Sequence, residues 1–429
     1  DIKERIVEFW ELLSRQRVAE GNLEHELLSP EKNVSARRVL SLVREPGFRL
    51  GRNALYEHIE PAVNAALTDE ALLNDPEALR LCYVKSSERL KYDSRLQMVV
   101  SDAKTYLGHK TTRVRSRKSQ GYLETQITQD APGRPRFILI LGTVGSGKTT
   151  FLQYTRKVSA ASQIDNKVLW LYIDFKKTTQ NQNSRQFLYE ELRSLIEADK
   201  EFDLGDWTKS IMPAYAEAIH NLERGPLFLL KKSNKSEFDK KIADNVMKER
   251  DELVPYVEKI VRHAINAKPG FLVIDNVDQI DDDGRQNEIF SEAQAAAQRM
   301  GINIIMSLRE STFLRHRNSP VFDAFQFDSL YIDPPSVLPV LSRRFTYARQ
   351  VLAGKKADLT LESGIHLKVS DISVFFNIVA QSVLASDAGF MIEMLSGGDI
   401  RRGLSLVREF LSSGHTTADR ALSAYARDG

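Results

Sequence analysis

Cysteine is all but missing from this chain: Cys82 is the single one among 429 residues. One thiol cannot close an intramolecular disulfide, and no group of cysteines and the 8 histidines has the spacing of a zinc site. A reducing, cytoplasmic setting suits such a chain best. Long apolar runs are missing too. Stretches such as Phe137 to Leu141 and Phe271 to Ile274 fall far short of the roughly twenty residues a membrane helix needs, and no signal peptide opens the chain, so no membrane is expected among its partners. Nor is there an excess of one charge. The 60 basic and 58 acidic residues leave a formal net charge of +2, which sets up no global field to recruit nucleic acid or anionic lipid; any such binding has to be local. No internal repeat is evident, and the opening at Asp1 rather than methionine leaves a longer parent sequence open.

What is present is ordinary for a folded chain: 42% hydrophobic and 28% charged residues. The length allows about three domains. From residue 1 to about Leu107, apolar residues recur at helical spacing, as in Ile6, Phe9, Trp10 and Leu13 and again in Leu79, Leu81 and Val84, which predicts an α-helical N-terminal region over 1–131. The Pro/Gly-punctuated segment Ala131 to Pro135 marks its end. Beyond it, from 132 to 335, short apolar runs alternate with amphipathic stretches: Phe137 to Leu141, Val168 to Phe175, Phe271 to Ile274, Ile302 to Met306 and Leu330 to Ile332. These runs are too apolar for one-sided exposure and predict five buried strands of a parallel sheet wrapped by helices, an α/β domain. A long polar, helix-rich stretch at 178–269 separates the second run from the third and reads as a helical insertion. From 336 to 429, after Pro334 and Pro335, the pattern is all helical and predicts a lid domain.

The segment Gly142-Thr143-Val144-Gly145-Ser146-Gly147-Lys148-Thr149 follows the first strand directly and precedes a helix-compatible stretch. It fits G-x-x-x-x-G-K-[ST] throughout, the pattern of a loop whose backbone amides curl around phosphate. The following helix aims the positive end of its dipole at the same charge. Lys148 is expected to reach the β- and γ-phosphates of ATP, and Thr149, followed by Thr150, to lie at the phosphates with its hydroxyl on Mg²⁺. The run Phe271 to Asp275 then ends in acid at the edge where a parallel sheet binds ligands. Asp275 is the candidate second metal ligand; Asp278 is a candidate for orienting or deprotonating the attacking water, with a solvated turn as the alternative.

In these motifs the chain resembles the AAA+ and STAND branches of the P-loop ATPases, over about Arg134 to Gly414. The strand Ile302 to Arg309, ending Ser307-Leu308-Arg309, resembles the family strand whose polar or basic tip senses the γ-phosphate; its arginine is closer to the STAND signalling ATPases than to the asparagine of common AAA+ unfoldases. The stretch Ser396-Gly397-Gly398-Asp399-Ile400-Arg401-Arg402-Gly403-Leu404 is similar to the lid motif of origin-recognition ATPases, and that resemblance implies that Arg401 contacts the γ-phosphate. At Asn276 the chain departs from the AAA+ pattern, which has a water-activating glutamate there, so slow hydrolysis is expected.

A basic run, His109 to Lys118, places Arg113, Arg115, Arg117 and Lys118 where they could follow a nucleic-acid backbone, although a solvated charged loop is the commoner origin of such a run. The resemblance implies an ATP-driven switch that self-associates as a homo-oligomer and presents a protein effector, as in signalling or bacterial defence. The alternative is a DNA-binding initiator or loader of the origin-recognition kind, for which no winged-helix segment is visible.

Overall fold

The structure is a computed structural model that describes residues 56–84 and 135–412, apart from 166–167, 180–181, 267, 320–321, 323–326, 361–365 and 385. The basic run at 109–118 and the helical patterns expected before residue 56 lie outside the described residues. Almost all described residues belong to one compact unit, Glu57–Arg408.

Five parallel strands form the centre: β1 Phe137–Gly142, β2 Leu169–Asp174, β3 Gly270–Asp275, β4 Asn303–Arg309 and β5 Asp328–Tyr331, in the order β2-β3-β4-β1-β5. The inner strands β1 and β3 are buried at every position, which is why Phe-Ile-Leu-Ile-Leu and Phe-Leu-Val-Ile read as unbroken apolar runs. The edge strand β2 alternates buried with half-buried residues, and Trp170 and Tyr172 occupy the less buried face. Alternation along β1 sends Leu139 and Leu141 to one core and Ile138 and Ile140 to the other.

The first core is roofed by α5 (Ser184–Ala198), α9 (Val254–Ile265) and α10 (Asp283–Met300), which supply Leu192, Ile260, Phe290 and Ala297, all essentially without solvent exposure. Full burial of each large apolar side chain contributes roughly 1.5–3 kcal/mol. Two ends of the expected insertion are thus integral to the sheet's cover. What projects is its middle, where α6 (Ala216–Arg224) and α7 (Phe228–Ser233) have no buried residue and α8 (Lys235–Asp251) buries only Phe238, Ile242 and Val246.

The second core holds α4 (Lys148–Tyr154), through Phe151 and Leu152, together with Leu72 and Leu79 from α2 (Asp69–Asn74) and α3 (Pro76–Cys82). These two helices follow α1 (Tyr56–Leu67), within the stretch 1–131 whose pattern predicts an α-helical N-terminal region apart from the α/β domain. They pack instead into the sheet's own core: Tyr83 stacks on Tyr154 at 3.8 Å between ring centroids, and the Lys157 ammonium donates to the Leu73 carbonyl at 2.5 Å. The reason is physical, since the apolar face of α4 needs a cover that the sheet alone does not give.

After β4 comes the short α11 (Glu310–His316), and beyond β5 come α12 (Val337–Leu352), α13 (Ser373–Leu384), α14 (Asp387–Ser396) and α15 (Ile400–Ser412). The expectation of an all-helical region here is corrected by an antiparallel pair, β6 (Ala357–Thr360) and β7 (His366–Val369), in register Ala357 opposite Val369. The turn at Gly354, φ +74°, ends the preceding helix. The alternating Leu-Thr and His-Leu-Lys-Val that follow are too short to register as a period in the sequence. No single helix among the described residues is long and apolar enough to cross a membrane.

Candidate functional site

The phosphate loop from Val144 onward, the acidic end of β3, Arg309 and Arg401 line one cavity at the C-terminal edge of the sheet, about 790 Å³ with its open mouth included. Strand order explains the convergence. With β4 lying between β1 and β3, the tip of β4 separates the phosphate loop after β1 from the acid at the end of β3, and Gly142 pairs with Arg309.

In the loop, Gly145 and Gly147 have φ of +69° and +82°, conformations that a side chain resists. Gly147 is the residue before α4, so the helix opens directly beneath the loop's amides. Val144 stands exposed, Ser146 is fully buried, and the Ser146 amide donates to the Thr143 carbonyl at 3.3 Å. The Lys148 ammonium donates to the Gly142 and Thr143 carbonyls, each at 3.1 Å. Burial pulls its pKa below the usual lysine range, while the Asp278 and Asp275 carboxylates oppose that shift. Thr150 lines the same cavity.

Asp275 is buried beneath the loop. Its Oδ2 accepts from the Thr149 hydroxyl at 2.7 Å and from the Tyr172 hydroxyl at 3.0 Å, and its Oδ1 accepts from the Asn276 amide at 2.9 Å. Burial pushes this carboxyl above the ordinary aspartate range, and hydrogen bonds from Thr149, Ser307 and Tyr172 pull the other way. The Tyr172 phenol is itself driven upward by burial and by Asp275, so it stays protonated and donates. A hydroxyl and a carboxylate in contact fit Mg²⁺, which takes one or two protein oxygens and completes its shell with phosphate and water. Among the described residues no group of three or more His, Cys, Asp or Glu could hold a metal by itself.

Two expected roles look different in the structure. Asp278, a candidate base, accepts from the Arg309 Nε at its Oδ2 at 2.6 Å with only 7% of its side chain exposed; it is the ion-pair partner of Arg309 rather than a solvated turn residue. Arg401 reaches the cavity from the start of α15, but its Nε is paired with Asp69 Oδ2 at 3.0 Å. Each arginine expected at the γ-phosphate therefore has a carboxylate partner. Ser307 lies fully buried inside β4.

Several residues of the site carried no recognisable signal. Asp69, at the start of α2, also faces the buried Arg344 at 3.6 Å, so one carboxylate spans two arginines from the helices beyond β5. Arg344 further donates to the Ala66 carbonyl at 2.7 Å. Leu72, Cys82 and Tyr83 make an apolar wall near the loop, where burial raises the Cys82 thiol to about 11. Asp399 presses against the loop itself: a Cβ added to Gly145 would lie 2.0 Å from its Oδ1. The same Oδ1 caps α15 by accepting from the Arg401 and Arg402 amides at 2.9 and 3.3 Å. At the tip of β2, Asp174 Oδ1 accepts from Asn276 Nδ2 at 2.8 Å. Apart from Asp399, which belongs to the lid-like stretch Ser396 to Leu404, no local pattern announces these partners, which lie far apart in sequence.

Residues 117–302 match the family model of the AAA ATPase domain. That part of the chain is a P-loop ATPase domain of the AAA+ type, and the activity that goes with it is ATP hydrolysis. Among solved structures, the chain is similar to the Aeropyrum pernix ORC1 protein in complex with DNA, at 14% identity over 85% of this chain and 69% of that one, with a TM-score of 0.40. It is also similar to C. elegans PCH-2, at 13% identity over 76% and 70% with a TM-score of 0.31. The Aeropyrum pernix ORC2 protein matches at 11% identity over 74% and 70% with a TM-score of 0.32. No curated protein matches the sequence.

Proposed function

We propose that this chain is a cytoplasmic ATP-driven switch, in which nucleotide is gripped between the phosphate loop and the helices that follow β5. One observation carries the reading: at the start of α15, Arg401 lines the same cavity as Gly145, Lys148, Asp275 and Arg309, and its neighbour Asp399 presses against Gly145. A γ-phosphate entering there offers Arg309 and Arg401 a multiply charged partner in place of Asp278 and Asp69. Exchange at Arg401 would shift α15 relative to the loop, and the shift would be read by other copies of the chain or by an effector. Thr149 and Asp275 would hold Mg²⁺, which when bound neutralises charge on the β- and γ-phosphates.

Lys148 would leave its loop carbonyls for the phosphates, and the Gly145 and Gly147 turns would present amides to them. Leu72 and Tyr83 would shield the base. The test is calorimetry of Mg·ATP and Mg·ADP binding, paired with hydrogen exchange of α12 and α15 in each state. Identical protection in both states would defeat the switch, while absent binding would defeat the nucleotide site.

A second reading, an initiator or loader of the origin-recognition kind, is favoured by the stretch Gly398 to Leu404, which supplies Arg401 to the cavity. The Aeropyrum pernix ORC1 protein was solved with DNA. For this chain, binding through Arg113, Arg115, Arg117 and Lys118 would be weak and steeply salt-dependent. Tight, sequence-selective and salt-tolerant DNA binding would favour the initiator over the switch.

A further inference from the structure

The cavity at the phosphate loop is lined by two kinds of residue. Lys148, Thr149, Asp275 and Arg309 suit phosphate and its metal, whereas Leu72, Cys82, Tyr83, Pro335 and Val340 are apolar. A site of that composition seats a flat apolar group and fixes it with a few placed polar atoms. Arg344 lines the cavity too, one helical turn after Val340 and so on the same face of α12.

Contacts on either side set Arg344 among the apolar lining. The Arg343 Nη1 donates to the Leu81 carbonyl at 3.2 Å, and the Tyr347 hydroxyl donates to Asp75 Oδ2 at 3.2 Å, which ties α12 to α3 and to its N-cap residue. Arg344 itself is only 3% exposed. Its Nη1 donates to the Ala66 carbonyl at 2.7 Å, and its Nη2 faces Asp69 Oδ1 at 3.6 Å. The Nε is buried and has no hydrogen-bond partner among the described residues. A buried donor left without an acceptor costs free energy, more so on a charged group, and a ligand that brings the acceptor recovers it. Because the rest of the guanidinium is already held, little side-chain freedom is lost when that acceptor arrives.

We propose that Arg344 reads the nucleobase, its Nε–H donating to a ring nitrogen of an adenine seated against Leu72 and Tyr83. The inference rests on the nucleotide site proposed above and adds the group that recognises the base. Adenine offers N1, N3 and N7 as acceptors along its edges, and the apolar residues around Arg344 give the ring a surface but no side-chain donor of comparable strength.

The experiment is calorimetry, with magnesium, of ATP, its 1-deaza, 3-deaza and 7-deaza analogues and inorganic tripolyphosphate, on the parent, Arg344→Met and Arg344→Lys. The lysine variant keeps the charge without the Nε–H, and guards against a methionine variant that fails to fold. In the parent, one analogue should bind about 10- to 100-fold more weakly than ATP, the usual worth of a hydrogen bond from a charged donor, and the other two close to ATP. Both variants should lose that discrimination and weaken ATP by a similar factor, while tripolyphosphate binds all three proteins alike. Parental binding of all three analogues at the affinity of ATP overturns the assignment. So do variants that still discriminate as the parent does, or a loss of tripolyphosphate affinity as large as the loss for ATP. A parent that binds neither ATP nor tripolyphosphate would instead defeat the nucleotide site itself, which keeps the two failures apart.

Discussion

Replacing Gly145 with alanine tests the contact that joins the phosphate loop to the start of α15. Gly145 has φ +69°, and its added Cβ would lie 2.0 Å from Asp399 Oδ1, 2.5 Å from Asp399 Cγ and 2.9 Å from Asp399 Cα. The left-handed backbone costs an alanine about 1–2 kcal/mol. Overpacking against Asp399 adds about 1–3 kcal/mol, because both the side chain and the backbone of the neighbour must move. Together these destabilise the closed arrangement by about 2–5 kcal/mol. If ATP requires that arrangement, its affinity falls by roughly 30-fold to several thousandfold at 1.4 kcal/mol per tenfold. Asp399→Gly removes the Oδ1 and Cγ overlaps but leaves the Cα and the backbone strain, so the double variant should recover part of the packing cost and none of the strain. Calorimetry of Mg·ATP on the four proteins of this cycle measures the coupling. Strictly additive effects, or a Gly145→Ala protein with the parent's affinity, would refute the idea that Asp399 seated on the loop belongs to the binding-competent state.

Other outcomes follow from the same cavity. Lys148→Ala should abolish measurable Mg·ATP binding in calorimetry while leaving the melting temperature close to the parent's, since its ammonium bonds only loop carbonyls. Arg401→Ala should weaken ATP relative to ADP by about 10- to 100-fold, the worth of one charge-assisted hydrogen bond of roughly 1.5–3 kcal/mol; equal losses for both nucleotides would remove Arg401 from the γ-phosphate. Because burial raises Asp275, the folded nucleotide-free protein holds its proton more tightly than the unfolded chain does, so this group's contribution to stability falls as pH rises through the raised value. Asp275→Asn should therefore raise the melting temperature of the nucleotide-free protein at neutral pH and remove the Mg²⁺-dependent part of ATP binding. In the parent, Mg·ATP affinity should decline as pH drops through that same raised range, because a protonated carboxyl is a poor metal ligand. Melting curves with and without Mg·ATP at several pH values check both signs.

The α/β class was readable because it depends on short-range features. A strand buried on both faces must be apolar throughout, as Phe137 to Leu141 and Phe271 to Ile274 are, and a phosphate loop must place glycines where φ is positive, as Gly145 and Gly147 do. Each such feature is confined to fewer than ten consecutive residues. The strand order, by contrast, left no trace in any one segment. Tertiary packing placed β4 between β1 and β3, brought α2 and α3 into the core behind α4, and formed the β6–β7 pair inside a stretch that reads as helical.

Partner choice was decided at the same level. Arg309 and Asp278 meet because β4 adjoins β3, and Asn276 meets Asp174 because β3 adjoins β2. Arg401 meets Asp69 across 332 residues of chain. A sequence determines which residues can carry charge, accept a proton or bend the backbone, since those are properties of the side chain and its immediate neighbours. Which carboxylate faces which guanidinium or amide depends on distances set by packing the whole sheet, and for this chain only the folded structure decides it.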